Sequence, residues 1–419
     1  MKRFAIAITF IILFTTLKGI TLQECLESLR NSVPISEQII LYEKQQKLTN
    51  KKLNANYLPS LYLVGNASWN SEVTQIDLGA TAPFTAPAPD KDRESIGVQL
   101  QQTIWDGGTT HVSKQVNRLE ADADQLGVMA SVHQREIEAT ALYFRIISTS
   151  ETIEVMNLQK SSLNSRLEQT ESLVSNGLKE DSDIKLVNLD LMKLDNQIYK
   201  LEHQRLAAVE QLSQISGLHL TDDMSFDPVA DFIQPGVEFV RKEIEKLDKL
   251  IAMQKVSAKL AGTKLFPKIV AKADYNYGKP GYDMFTNDFH DYYSVGINLS
   301  WKLWDFGQVS QEKRLAKNKV HITESTKDEL LLTLRNQLSS NRYDMRNAEY
   351  NISVVTERIQ LLEEIVSAYN SKFESGIITT TELLVQSNNL MQARIELQQN
   401  TTQLTALQVQ RILISGGKL

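Results

Sequence analysis

Few side chains in this 419-residue sequence are placed to do chemistry. The six histidines, His111, His133, His203, His219, His290 and His321, stand apart from one another. None lies three or four residues from another, and no His-Glu-x-x-His run or carboxylate–histidine cluster occurs. Solvated or packed imidazoles are the reading such positions support. A single cysteine, Cys25, excludes a disulfide framework and a Cys-based zinc site. Leu22, Cys25, Leu26 and Leu29 share one helical face, which makes the thiol a small core residue. Glu24 stands just before it, where a lipid-anchor signal requires something small. No glycine-rich run leads into Lys-Ser/Thr, and Asp90-Lys91-Asp92-Arg93-Glu94 reads as a solvated loop end. No nucleophile has a base beside it. The chain is therefore expected to be no enzyme and to have no catalytic residue, cofactor or metal site.

Two acids remain, Asp183 and Glu382. Each lies six residues beyond a glycine, Gly177 or Gly376, at the start of a returning helix. There a carboxylate complements the helix macrodipole.

The elements that must carry these positions are long. Hydrophobic residues make up 42% of the chain and charged ones 23%, which excludes a disordered polymer, while nine prolines and 18 glycines leave room for uninterrupted helices. A net charge of −6 gives no electrostatic reason for nucleic-acid binding. Lys2 and Arg3 precede the apolar run Phe4 to Phe14, with Gly19 following, the pattern of a signal peptide over 1–19. No later segment has eighteen consecutive apolar residues, so only β-strands could cross a membrane.

The chain repeats itself. Trp105-Asp106-Gly107-Gly108 recurs as Trp304-Asp305-Phe306-Gly307, and Gly177 as Gly376, both 199 positions later. Upstream, Leu58-Pro59 matches Phe266-Pro267 at an offset of 208, and the difference falls in the stretch containing Pro83, Pro87 and Pro89. A tandem duplication with a loop insertion follows. Repeat 1 is assigned to 20–217, with a helix over 21–57, a β-hairpin over 60–105 and a helical hairpin over 108–217 turning near 175–182. A linker spans 218–235. Repeat 2 is assigned to 236–419, with a helix over 236–265, a β-hairpin over 267–304 and a helical hairpin over 308–415 turning near 374–381.

The strand segments alternate with period two. Leu61, Leu63, Gly65, Ala67 and Trp69 share one parity, as do Ile96, Val98, Leu100 and Ile104. In the second half Ile269, Ala271, Ala273, Tyr275 and Tyr277 alternate with polar residues, and so do Val295, Ile297, Leu299, Trp301 and Leu303. One apolar and one hydrated face describe a strand between lipid and a wet lumen. Trp105 and Trp304 fall on the hydrated parity. Four strands cannot close a barrel, so a membrane location requires several chains to pool strands. The remainder is helical with 3-4 spacing. Ile352, Val355, Ile359, Leu362, Val366, Tyr369 and Phe373 form one seam, Ile184, Val187, Leu191, Leu194, Ile198 and Leu201 another, and Leu383, Leu390, Leu397 and Leu404 recur every seven residues. The 67 or so helical residues before Ser175 extend roughly 100 Å at about 1.5 Å each.

This order resembles the TolC-like outer-membrane efflux protein family along essentially the whole chain after the signal peptide. The two Trp-Asp motifs, Asn176-Gly177-Leu178 with Asp183, Gly376-Ile377 with Glu382, and Gln211-Leu212-Ser213-Gln214-Ile215-Ser216-Gly217 carry the resemblance. It implies a mainly α fold with transmembrane β-strands, assembled as a homotrimer with a twelve-stranded barrel in outer-membrane lipid and a helical tunnel in the periplasm. It also implies a periplasmic adaptor, an inner-membrane pump or secretion ATPase, and a passive export duct. On this resemblance Glu382, with Asp183 secondary, lines the pore constriction. Val385 stands where a further acid would be expected, which makes any acidic ring thinner. The turns, through Gly177, Leu178, Ser182, Gly376, Ile377 and Thr380, are expected to dock the adaptor. The alternative is a soluble periplasmic coiled-coil scaffold or adaptor, a class that usually carries a single hairpin.

Overall fold

The computed structural model describes residues 19–31, 33–74, 88–229, 239–417 and 419. The expected signal peptide, Gly19 excepted, lies outside them. So do 230–235 of the expected linker and 236–238 at the expected start of the next helix. In order, the described elements are α1 (Leu22–Arg30), α2 (Val33–Ala55), β1 (Ser60–Trp69), β2 (Asp92–Trp105), α3 (Thr109–Ser175), α4 (Asp181–Ser216), α5 (Lys242–Thr263), β3 (Lys268–Lys279), β4 (His290–Ser300), α6 (Gln308–Glu374) and α7 (Thr380–Ser415). The long helices match in length, 67 residues for α3 and α6 and 36 for α4 and α7.

The segment expected as one helix over 21–57 is two. A continuous helix would need an N–H from Pro34 for the carbonyl of Arg30. Proline has none, and its ring clashes with that carbonyl. In the first turn of α2 the missing donor costs nothing. Thr21 opens α1 with a reciprocal capping box to Glu24.

The elements group into two compact units. One takes in the residues up to Gln38, Gly127–Glu243 and Glu329–Leu419, the other Ile39–Leu126 and Ile244–Asp328. The second unit holds an antiparallel sheet in the order β1-β2-β3-β4. Its register aligns residues in rows. Leu61, Leu100, Ala273 and Val295 form one row, and Leu63, Val98, Tyr275 and Tyr293 another on the same face. The opposite face carries Tyr62, Gln99, Asp274 and Ser294. Most of the large apolar side chains of the first set are exposed in the single chain.

Trp105 corrects the parity reading. The ladder shifts between Thr103, opposite Val270, and Trp105, opposite Ile269, and Ile269 faces Leu299 on the apolar side. This bulge turns Trp105 to the lipid-type face that simple alternation denied it. The second hairpin also ends earlier than expected, because β4 stops at Ser300 and Trp301 to Trp304 have no ladder partner.

The Trp-Asp motifs are the joints from strand to helix. Asp106 accepts the N–H groups of Gly108 at 3.0 Å and Thr110 at 2.7 Å, and Asp305 those of Gly307 at 2.9 Å and Val309 at 2.8 Å. Each aspartate satisfies orphan donors at the start of a 67-residue helix. Tyr57 donates a further bond to Asp106 at 2.7 Å. Burial alone would raise the Asp106 carboxyl, but the bonds from Thr110, Tyr57 and Gly108 outweigh it and hold the group below the usual carboxylate range.

In the first unit, Met156, Leu163, Val187, Leu191, Leu194, Ile198, Leu384, Met391 and Ile395 form a core drawn from α3, α4 and α7. The expected α4 seam is thus largely buried. On α7 the residues buried in this core are Leu384, Met391 and Ile395. Of the leucines expected there only Leu383 is fully covered, and Leu390, Leu397 and Leu404 are half-buried. Cys25 is fully buried beside Leu26 and Leu29, and burial raises its thiol to about 11. Among the described residues, no helix is long and apolar enough to cross a membrane, and no group of His, Cys, Asp or Glu is arranged to hold a metal ion.

Facing can be measured directly. Leu299→Arg, on the apolar face, is expected to cost about 2–4 kcal/mol near mid-bilayer. Asn298→Arg, on the other face, should cost less. The check is unfolding from bilayers, and equal effects would mean the face assignment is wrong.

Candidate functional site

The helical turns at 175–182 and 374–381 belong to the first unit, and both are built in the same way. Gly177 has φ 73° and Gly376 φ 69°, the left-handed conformation that ends a helix with a reversal. The N–H of Gly177 reaches the carbonyl of Val174, and that of Leu178 the carbonyl of Leu173, both at 2.9 Å. Gly376 to Phe373 and Ile377 to Lys372 repeat the pair, again at 2.9 Å. An added Cβ would meet nothing within 4 Å at either glycine. Leu178 and Ile377 sit just beyond, 64% and 72% exposed.

Both acids turn out to be capping residues. Glu382 accepts from the Thr379 N–H and hydroxyl, each at 2.8 Å, while the Thr379 hydroxyl accepts from the Glu382 N–H at 3.2 Å. Asp183 accepts from the Glu180 N–H at 3.1 Å in the matching box of α4. The macrodipole reading therefore holds for both residues, and the distinction drawn between them is not one of local structure. The Thr379 backbone bond, then its hydroxyl, hold the Glu382 carboxyl below the usual glutamate range, with Lys179 acting in the same direction. Ser182 is exposed and donates to Glu180 at 3.2 Å. Thr380 departs from expectation. It is 0% exposed, packed as the first residue of α7, and offers no surface for docking within the chain.

Three residues tie the two turns together, Lys179 and Arg166, which the sequence did not single out, and Phe373, read there only as a seam position. Lys179 donates from Nζ to the carbonyl of Ile378 at 2.8 Å, and these residues are 199 positions apart, the offset between the turn glycines. Its ammonium also stands 4.8 Å from the ring centroid of Phe373, with Arg166 5.5 Å from the same ring. Phe373 is fully buried between these cations. Arg166 bonds neutral partners, Asn370 at 2.6 Å and Gln169 at 3.2 Å, and burial lowers its pKa. The sequence signal was faint. Phe373 appears in the seam as one apolar position among many, and Lys179 opposite Ile378 is one of several charge differences between the turns. Further along, Asn388 donates to Asp190 at 3.0 Å. This arrangement holds the two helix turns together. It contains no catalytic constellation.

Residues 248–416 match the model of the outer membrane efflux protein family. Among solved structures, the chain is similar to the outer membrane protein VceC of Vibrio cholerae, with TM-score 0.70 and 13% identity over 94% of this chain and 96% of that one. It is similar to the Campylobacter jejuni CmeC outer membrane channel at TM-score 0.70 and 12% identity, over 94% of this chain and 85% of the other. The open-state Neisseria gonorrhoeae MtrE outer membrane channel matches at TM-score 0.64 and 12% identity, over 92% and 88%. At these identities the structural likeness is one of fold. No curated protein sequence matches the chain. The family match thus lies within the second half of the chain, and the structural likeness extends a TolC-like fold over the rest.

If Lys179 fastens the turns, Lys179→Met should loosen 377–382 without unfolding the core. The loss is expected to be about 1 kcal/mol, roughly a fivefold rise in amide exchange there. Unchanged exchange in that segment would make the contact incidental.

Proposed function

We propose that the protein is a passive, trimeric outer-membrane channel-tunnel of a tripartite efflux or type I secretion system. The observation that carries this reading is the sheet, which has one apolar face exposed to the surroundings and unpaired edges at β1 and β4. A water-soluble scaffold would leave both features unsatisfied. Three copies supply twelve strands, an even number suited to a closed barrel. The helical hairpins form the periplasmic tunnel, and their turns dock an adaptor that leads to an inner-membrane pump or secretion ATPase. The two halves of the chain, with their matched helix lengths, descend from a duplication.

The exposed docking surface consists of Gly177, Leu178, Ser182, Gly376 and Ile377. Their open surroundings suit the close approach of another helix tip. The contact of Lys179 and Arg166 with Phe373 keeps the turns together in the resting state, and Glu382 lines the constriction. Within one chain the hydrogen bonds of Thr379 at the start of α7 hold the Glu382 carboxyl below the usual glutamate range. Crowding three such groups pushes in the opposite direction and makes the ring attractive to cations.

Reversal potential in a salt gradient tests the constriction. Glu382→Gln is expected to shift it toward lower cation selectivity while trimers still form. Asp183→Asn should shift it less. Coincident potentials for wild type and Glu382→Gln would remove Glu382 from the conduction path.

Docking has a separate test. Large residues at Gly177 and Gly376 have room, and each costs about 1–2 kcal/mol of left-handed backbone strain. Trimers should assemble and export should fail. Normal export from the double variant would take the turns out of the docking surface.

A further inference from the structure

Inside the chain, β2 and β3 make the one junction between the two halves of the sheet. β2 corresponds to β4 at an offset of 199, and β3 to β1 at 208. The free edges β4 and β1 are therefore the repeat counterparts of two strands whose pairing is visible. We infer that β4 of one copy pairs with β1 of the next in the register that β2 and β3 keep, placing Asn298 opposite Asn66 of the next copy. Phe306 packs on Leu58 of that copy. This rests on the oligomeric reading above and adds to it a register and a contact.

Four observations converge on that junction. Carried over, the observed Gln99–Asp274 pair becomes Asn298 with Asn66, and Val98–Tyr275 becomes Ile297 with Ala67. Along the middle of the strands, from Ser294 with Asn70 to Asn298 with Asn66, the carried pairs keep apolar with apolar and polar with polar or glycine. Face matching alone would tolerate a slip of two residues, so only the repeat fixes the register.

The glycines supply the second. At Gly97 an added Cβ would stand 2.0 Å from Oδ1 of Asn276, so that side chain lies across the glycine from the neighbouring strand. Its counterpart Gly296 has nothing within 4 Å. The matching cover is Ser68 of the next copy.

The third is strand length. β2 continues to Trp105 because Gln102 to Trp105 pair with β3, whereas β4 ends at Ser300. Residues 301–304 await the equivalent partner, Leu61 to Leu63 of the next copy.

The fourth is Phe306. Its counterpart Gly107 is pressed against Phe266, where an added Cβ would come within 2.9 Å of the Phe266 Cβ. Phe306 instead takes φ 54°, which is unfavourable for a large side chain, and is 92% exposed. Leu58, counterpart of Phe266, is also exposed. A small–large contact within the chain becomes a large–small contact between copies.

The test uses the full chain in mild detergent, with the buried Cys25 left in place. Oxidation of Asn66→Cys/Asn298→Cys should give covalent dimers and trimers on a non-reducing gel, several-fold more than Val64→Cys/Asn298→Cys. Stronger linking of the Val64 pair overturns the register. Trimers by light scattering with neither pair linked also overturn it, while leaving the oligomeric reading intact. A monomer defeats both. For the knob, Phe306→Gly should lower the temperature at which the trimer dissociates, and adding Leu58→Phe should restore it. A Phe306→Gly trimer as heat-resistant as wild type removes Phe306 from the contact.

Discussion

Hydrocarbon offers backbone amides no partner, and that constraint organises the rest of this protein. A sheet whose apolar rows run from Leu61 to Val295 suits lipid on one side and water on the other. It still ends in two rows of unpaired N–H and C=O groups at β1 and β4. In water such edges are a liability managed by charge or cover, whereas in a bilayer they must be closed. Four strands are too few to close on themselves, so the chain is half-finished by its own geometry.

The joints between strand and helix follow from the same concern for unsatisfied donors. Asp106 and Asp305 gather the first free N–H groups of the two longest helices, and the left-handed Gly107-Gly108 and Phe306-Gly307 steps swing the chain into position for them. At the opposite ends of these helices the free groups are carbonyls, which the glycine reversals satisfy, and the carboxylates of Asp183 and Glu382 accept N–H groups where α4 and α7 begin. The acids that look most like a functional pair in the sequence are, first of all, helix caps.

Much of this architecture is legible in the residue order. Period-two alternation marks the strands and 3-4 spacing the α4 seam, because both follow from local geometry that repeats along the chain. The Trp-Asp motif is visible as a repeat, but its task becomes clear only when the carboxylate is seen against the helix start. What escaped depends on registers and on packing between distant segments. Alternation places Trp105 on the wrong face, because a bulge adds one residue to a count that assumes none. The α7 leucines mislead because Leu384, Met391 and Ile395 offer another apolar stripe beside them, and only the opposing helices choose between the two. Lys179, Arg166 and Phe373 are unremarkable as residue types. Their meaning lies in two turns nearly 200 residues apart meeting at one ring.

The buried thiol has a consequence for biogenesis. The periplasm is an oxidising compartment in which exposed cysteines are joined to whatever lies near. With its pKa at about 11, Cys25 holds almost no thiolate at neutral pH, and the leucines around it keep oxidants and other chains away. Once α1 has docked, the chain is redox-silent. Under the oligomeric reading, copies meeting edge to edge then carry no accessible thiol that could join them covalently.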